Sequence, residues 1–186
     1  MRLGIYVGSF NPPHNGHIDI VNYLLENNYV DEILIVPTQN YWNKQDLVDV
    51  KHRINMLRFF ESERIHVDSE NNDIPYTYLL MKALKEEYSA DLHLIIGADN
   101  IINFDKWKNY QELLDYKIII MNRKDVDIRE HLDKYDTSNF IVLDDYQSID
   151  VSSTEVRENN NSNQMNPKVL SYIRKNGLYR KNNNNS

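Results

Sequence analysis

The 186-residue chain contains no cysteine, so the sequence excludes disulfide bonds and catalysis by a thiolate. It has no apolar run near the ~18 residues that a membrane-spanning helix needs, and its N-terminus lacks the pattern of a signal peptide. Basic residues are also in deficit, since 21 Lys and Arg stand against 28 Asp and Glu and give a net charge of -7. This balance argues against a nucleic-acid partner, whereas a few local cations can still bind a small phosphorylated molecule. We therefore expect a cytoplasmic protein with no nucleic-acid and no membrane partner, and the composition is compatible with a homo-oligomer.

Six short segments rich in β-branched residues alternate with segments of helical periodicity. The predicted strands cover residues 3–8, 32–37, 64–69, 92–97, 117–122 and 140–144. Helices are predicted between them, and a last helix is predicted over 167–176 with Gly177 as its C-terminal cap. The alternation predicts an α/β fold with a doubly wound, Rossmann-like, mostly parallel sheet and helices on both faces. We expect a single domain over 1–180 with a C-terminal helical portion from about 153, followed by a disordered, asparagine-rich tail over 181–186.

The loop after the first predicted strand carries two histidines three residues apart. It reads G-S-F-N-P-P-H-N-G-H from Gly8 to His17 and leads into a helix. Unpaired N–H groups and a partial positive charge at a helix N-terminus favour an anion, and the imidazoles of His14 and His17 can donate hydrogen bonds to phosphate oxygens. A metal pair or two incidental surface histidines are the alternatives, but no third ligand is evident nearby. Gly16 is expected to let the backbone approach a ligand closely.

A second segment, V-S-S-T-E-V-R from Val151 to Arg157, has the residues of a phosphate-binding helix start. Its serines and threonine can cap a helix whose N–H groups face a phosphate, and Arg157 would lie one turn into that helix. The same residues also fit a plain helix start closed by a capping box, and taken alone they favour that interpretation.

Both segments resemble the signatures of the HxGH nucleotidyltransferases. Almost the whole chain, apart from the asparagine-rich tail, is similar to the bacterial nicotinate mononucleotide adenylyltransferases within that superfamily. The similar segments are residues 37–39 followed by Lys44, 52–57, 75–77, 95–100, 106–107, 112–114 and the terminal 176–179. The sequence departs from the family pattern in two segments. Val7 stands where a glycine is usual, and Y-W-N-K ending at Lys44 replaces P-P-H-K, so that Asn43 takes the place of a histidine.

The resemblance implies adenylyl transfer from ATP to nicotinate mononucleotide, with Mg²⁺ bound mainly through ATP phosphates and no metal ligands from the protein. It implies four catalytic residues: His14, His17, Lys44 and Arg157. The ATP-binding residues it implies are Gly8, Ser9, Phe10, His14, His17, Gly97, Asp99, Ser152, Ser153, Thr154 and Arg157. The mononucleotide-binding residues it implies are Lys44, Tyr76, Thr77, Trp107 and Arg123.

Structural interpretations compete with several of these roles. Asp99 could be a helix N-cap, Trp107 a core aromatic residue, and Lys44 and Arg53 ordinary solvated cations. Alternative functions are a related adenylyltransferase that uses nicotinamide mononucleotide or phosphopantetheine, and a nucleotide-binding sensor without catalysis. The H-x-G-H element also occurs in class I aminoacyl-tRNA synthetases, but this acidic chain has no room for their tRNA-binding domains.

Overall fold

The computed structural model describes residues 1–39, 47–123, 126–148, 151–159 and 162–180. Six strands form one sheet in the order β3-β2-β1-β4-β5-β6, and every neighbouring pair is parallel. The strands are β1 (Arg2–Gly8), β2 (Glu32–Pro37), β3 (Ile65–Val67), β4 (Asp91–Gly97), β5 (Lys117–Met121) and β6 (Phe140–Leu143). The predicted doubly wound α/β fold and all six predicted strands are confirmed.

Eight α-helices are assigned in the described ranges. They are α1 (Asn15–Glu26), α2 (Val50–Leu57), α3 (Thr77–Glu87), α4 (Ala98–Ile102), α5 (Tyr110–Leu113), α6 (Arg129–Leu132), α7 (Ser153–Asn159) and α8 (Pro167–Asn176). Short 3-10 turns cover Arg58–Phe60, Phe104–Lys106 and Ser162–Gln164. No helix within the described residues is long and apolar enough to cross a membrane.

The strands are almost continuously apolar because helices cover both faces of the sheet. Alternate residues of β2 enter opposite cores, since Leu34 packs with α3 and Ile35 packs with α1. The same alternation applies to β4, where the side chains of Leu94 and Ile95 belong to different cores. Two apolar layers therefore hold the sheet from either side.

The strand order reverses between β1 and β4, since β1 leads outward to β2 while β4 lies on its other side. Ligands of open α/β sheets bind at such a switch point, beyond the carboxyl ends of the strands. The loops that follow β1, β2 and β4 therefore converge at the same end of the sheet.

The last two helices pack against α2 through a small third core. Its buried members are Met56 from α2, Val156 from α7, and Met165 and Val169 near and in α8. Helix α8 begins with a proline and ends at Gly177, which has a left-handed φ of 61°, as predicted. This packing brings the C-terminal segment beside the loop that follows β1.

Candidate active site

The two histidines of the first loop close the N-terminus of α1 through a reciprocal pair of hydrogen bonds. The backbone N–H of Gly16 donates to Nδ1 of His14 at 3.1 Å, and the backbone N–H of His14 donates to Nδ1 of His17 at 3.1 Å. This is a capping box in which two imidazoles take the places usually held by a hydroxyl and a carboxylate. The rings stack with their centroids 3.7 Å apart.

This arrangement sets the protonation of both rings. Because each Nδ1 accepts a hydrogen bond, each neutral ring carries its proton on Nε2. Burial lowers the pKa of His14 to about 4, and burial together with the neighbouring His14 lowers the pKa of His17 well below its usual value. At neutral pH the pair therefore presents two neutral Nε2–H donors.

The cap makes stability depend on pH in a specific direction. Unfolded His14 takes up its proton near pH 6.5, whereas folded His14 does so near pH 4. As the pH falls through this window the unfolded state binds more protons, so the free energy of unfolding decreases, by about 2 kcal/mol between pH 7 and pH 5 for this group. We expect His14→Asn, which keeps a favoured N-cap without a titrating ring, to show a shallower pH dependence in urea unfolding. Equal slopes for the two proteins would contradict the lowered pKa.

Gly16 lies directly under the His14 ring. A β-carbon at Gly16 would lie 2.9 Å from Cε1 of His14, closer than real contacts allow, and 3.0 Å from Nδ1 of the same ring. Gly16 has an ordinary helical position in α1, so its constraint comes from the imidazole that folds over it rather than from its backbone angles.

The carbonyl groups of the first loop are held by donors from distant parts of the chain. The N–H of Thr38 donates to the Gly8 carbonyl at 3.0 Å, and the hydroxyl of Ser153 donates to the Pro12 carbonyl at 3.1 Å. Arg157 donates from Nη1 to the Asn11 carbonyl at 2.6 Å. The loop is thus fixed both by the segment that follows β2 and by α7.

Arg53 provides another of these anchors, and the interpretation of this residue as a solvated cation is wrong. Its side chain is only 1% exposed and donates to the carbonyls of Ser9 at 2.8 Å, Thr38 at 2.6 Å and Val48 at 2.9 Å. It therefore joins the loops after β1 and β2 to the start of α2. Burial lowers its pKa, although a guanidinium remains charged at neutral pH.

Two clefts open on either side of the carboxyl end of β1. The first, of about 730 Å³, lies toward β2, and the second, of about 320 Å³, lies toward β5. Both reach the carboxyl end of β4, where Ile96 lines the first cleft and Gly97 lines the second. The two clefts are therefore adjacent binding spaces at the switch point of the sheet.

The second cleft holds most of the residues predicted to bind ATP. Its lining includes His14, His17, Gly97, Asp99, Ser152 and Ser153. Asp99 is not the N-cap of α4, because Gly97 occupies that position and Asp99 lies in the first turn. The carboxylate of Asp99 instead accepts a hydrogen bond from Nη1 of Arg123 at 2.9 Å. Arg123 thus lies with the residues predicted to bind ATP and does not line the cleft that holds Trp107.

The remaining residues predicted to bind ATP have different positions. Gly8 and Ser9 line the first cleft. Phe10 is 2% exposed, and its ring packs edge-on against His17 with centroids 4.9 Å apart. Thr154 is exposed on α7, where its hydroxyl accepts from Nη2 of Arg157 at 3.4 Å. Phe10 and Thr154 thus contact predicted phosphate ligands and line neither of the two clefts.

The V-S-S-T-E-V-R segment forms the capping box that its sequence suggests. The N–H of Glu155 donates to the hydroxyl of Ser152 at 3.1 Å, and the N–H of Ser152 donates to the carboxylate of Glu155 at 3.3 Å. This does not remove the segment from the site, since Ser152 and Ser153 line the second cleft while Arg157 anchors the first loop. The capping box is therefore compatible with the predicted phosphate-binding role, which stays a prediction.

The first cleft holds three of the residues predicted to bind the mononucleotide: Tyr76, Thr77 and Trp107. Among the described residues no side chain caps the start of helix α3 at Thr77, which leaves its first N–H groups available to a ligand in this space. The ring of Trp107 packs on the buried Phe104 with centroids 5.3 Å apart, so this tryptophan is both a core residue and a cleft residue.

The first cleft is electrically positive. Two cations, Lys106 and Lys108, belong to its lining, and none of the described residues adds a carboxylate to that lining. The Nζ atom of Lys108 lies 4.6 Å from the centre of the Tyr76 ring. This balance suits an anionic ligand, although the chain as a whole carries a net charge of -7.

Lys44 and Asn43 lie outside the described residues, as does the predicted tail over 181–186. Three residues that fix the first loop were missed as such: Asn11 within the loop, Arg53, and Tyr179, whose hydroxyl donates to Oδ1 of Asn11 at 2.6 Å. Asn11 could have been noticed from its position in the first motif. The contacts of all three residues join segments that are distant in sequence, so no local pattern indicates them.

Similarity to known proteins agrees with this geometry. Residues 5–159 match the family model described as cytidylyltransferase-like. A probable nicotinate-nucleotide adenylyltransferase of Acholeplasma laidlawii is 36% identical over 94% of this chain and 96% of its own. The nicotinate-nucleotide adenylyltransferase of Bacillus subtilis is 33% identical over 96% of this chain and 98% of its own.

The fold is also shared with a solved structure. The nicotinic acid mononucleotide adenylyltransferase of Plasmodium falciparum, solved in complex with NaAD, superposes with a TM-score of 0.78. It is 23% identical and covers 96% of this chain and 97% of its own. At this identity the likeness establishes the architecture alone.

Proposed function

Because the chain belongs to the cytidylyltransferase-like family and, within it, to the nicotinate-nucleotide adenylyltransferases, we propose that it joins ATP to nicotinate mononucleotide. The products are the deamido form of NAD and pyrophosphate. The observation that carries the proposal is the pair of adjacent clefts, one with two neutral histidine donors and the other with a tryptophan and two lysines. One cleft suits a triphosphate and the other suits an anionic aromatic mononucleotide.

The reaction needs positioning and charge stabilisation more than proton transfer. An oxygen of the mononucleotide phosphate attacks the α-phosphorus of ATP, a new P–O bond forms, and the bond to the β-phosphate oxygen breaks. Pyrophosphate leaves with that electron pair. Since the attacking phosphate is already ionised, no general base is required.

The histidine pair is the proposed source of stabilisation at the α-phosphate. Both Nε2–H groups are donors before substrate arrives, because the backbone already occupies both Nδ1 atoms. Fixed donors aimed at developing charge need no reorganisation during the reaction. Lys44 remains a proposed phosphate ligand, and Asp99 remains a proposed contact of ATP. Arg123, predicted from the sequence to bind the mononucleotide, is now proposed to contact ATP, because it pairs with Asp99 in the second cleft.

Mg²⁺ is expected to enter with ATP. The phosphate oxygens of ATP and water would be its main ligands, because Mg²⁺ dehydrates reluctantly and is commonly bound through substrate phosphates. The ion would neutralise charge on the triphosphate, while the protein's own residues orient the reactants.

The proposal is tested by measuring pyrophosphate release with ATP and each of three acceptors: nicotinate mononucleotide, nicotinamide mononucleotide and phosphopantetheine. We expect turnover to be fastest with nicotinate mononucleotide. Turnover confined to phosphopantetheine would assign a related transferase. ATP binding without turnover on any acceptor would favour a nucleotide sensor.

Arg157 is expected to matter to this reaction in a graded manner. Arg157→Ala removes the donor to the Asn11 carbonyl and a proposed phosphate contact, so we expect a higher KM for ATP or a lower kcat. Arg157→Lys should recover only part of the activity, because an ammonium lacks the planar fork of a guanidinium. Steady-state kinetics measure both variants. Unchanged kcat and KM in Arg157→Ala would leave this arginine with only the structural contact to the Asn11 carbonyl.

A further inference from the structure

We infer that Tyr179, near the C-terminal end of the described chain, is a positioning residue for adenylyl transfer and acts through Asn11. Its hydroxyl donates to Oδ1 of Asn11 at 2.6 Å across 168 residues of sequence. Asn11 lies three residues before His14, inside the loop whose histidines are the proposed ATP ligands. The inference rests on the proposed function, since its readout is turnover.

Asn11 connects the first loop to three other segments of the chain. It is 5% exposed, and its Oδ1 also accepts from the backbone N–H of Val48 at 3.3 Å. A backbone N–H can only donate, so this contact identifies the amide oxygen as the atom that faces Tyr179. The Asn11 carbonyl meanwhile accepts from Arg157. Side chain and main chain of this one residue are therefore joined to the segment before α2, to α7 and to the C-terminal segment.

Tyr179 is itself held in place by the end of α8. Gly177 adopts a left-handed conformation and the N–H of Leu178 donates to the Ile173 carbonyl at 3.0 Å, which reverses the chain. Tyr179 also has a positive φ of 58°, which is uncommon for a residue with a bulky side chain. Burial raises the pKa of its phenol, so the hydroxyl stays protonated and can donate at neutral pH.

A rigid connection to the first loop has a catalytic consequence. Small displacements of a donor away from the α-phosphate reduce stabilisation of the transition state more than binding of the ground state. Loss of the Tyr179 hydroxyl should therefore lower kcat and leave the KM for ATP nearly unchanged. A residue that only supports the fold would instead lower the melting temperature and leave turnover per folded molecule intact.

The test compares Tyr179→Phe with Tyr172→Phe in the full chain. Tyr172 on α8 is a matched control. Its hydroxyl pairs with Nδ1 of His52 at 2.8 Å and with Nδ2 of Asn55 at 3.1 Å. These contacts join α8 to α2 and lie away from the first loop. We expect Tyr179→Phe to lower kcat by roughly 3- to 10-fold and Tyr172→Phe to change it by less than about 2-fold. Melting temperatures of both variants are measured alongside.

Asn11→Ala tests the same contact from its other side. It should lower kcat at least as much as Tyr179→Phe, and adding Tyr179→Phe to it should cause little further loss, because the acceptor is already gone. Equal kcat values for Tyr179→Phe and Tyr172→Phe, fully additive losses in the double variant, or unchanged kcat in Asn11→Ala would each overturn the inference. A parent protein inactive on every mononucleotide would instead refute the proposed function.

Discussion

His17→Ala is expected to lower kcat by roughly 10²–10³-fold, the range found when one preorganised donor to a transition state is removed. The physical reason is the arrangement around Nδ1. Because that atom already accepts the N–H of His14, the proton of the neutral ring sits on Nε2, where it can be donated to substrate. Alanine removes this donor and also one half of the cap of α1, which should cost about 1 kcal/mol of stability without unfolding the protein.

The measurement needs a control for the generic effect of losing a histidine. His66 is suitable, because it lies on the edge strand β3, pairs with Glu32 at the start of β2 and lines neither cleft. His66→Ala should keep kcat within about 2-fold of the parent, since exposed pairs contribute little. Near-normal turnover in a folded His17→Ala protein would remove His17 from the chemistry.

Much of the fold could be predicted because its signals are local. Each strand is a short β-branched run bounded by polar residues, and the alternation with helical periodicity predicts a parallel, doubly wound sheet. The end of α8 could also be predicted from a local signal, since a glycine after a helical stripe indicates a left-handed C-terminal cap. Such features depend on neighbouring residues and are therefore visible in sequence.

The anchors of the first loop could not be predicted in this way. Arg53 follows a histidine in an amphipathic helix, which gives no indication that its guanidinium is buried against three carbonyl groups. The contact between Asn11 and Tyr179 depends on how α8 packs on α2, and packing of this kind leaves no periodic pattern in the sequence. The first loop itself was identified from its sequence motif, but the contacts that keep it rigid are tertiary.

The positive first cleft leads to a prediction about substrate choice. Nicotinate and nicotinamide mononucleotides differ only in a carboxylate or an amide on the ring. The start of α3 at Thr77 offers backbone N–H donors, and Lys106 and Lys108 add positive charge that no carboxylate opposes in the described lining. We expect kcat/KM for the acid to exceed that for the amide by at least ~10²-fold, because a site built to pair with one polar group leaves mismatched atoms with the other.

Three variants would separate the contributions to this preference. Trp107→Ala should raise KM for both mononucleotides alike, since stacking does not distinguish the two rings. Lys108→Gln should reduce the ratio of kcat/KM for the acid to kcat/KM for the amide only a few-fold, because an exposed charge contributes less than about 1 kcal/mol. Lys85→Gln on α3 provides a control outside the first cleft.

Most of the preference should therefore survive in Lys108→Gln if the backbone of α3 is its main source. A ratio that fell to near unity in Lys108→Gln would move the specificity from the backbone to the lysine. Comparable kcat/KM values for the two mononucleotides in the parent protein would refute the preference itself. Adenylyl transfer would still stand in that case, because the histidine donors and the second cleft are proposed to bind ATP, whereas the acceptor ring is proposed to bind in the first cleft.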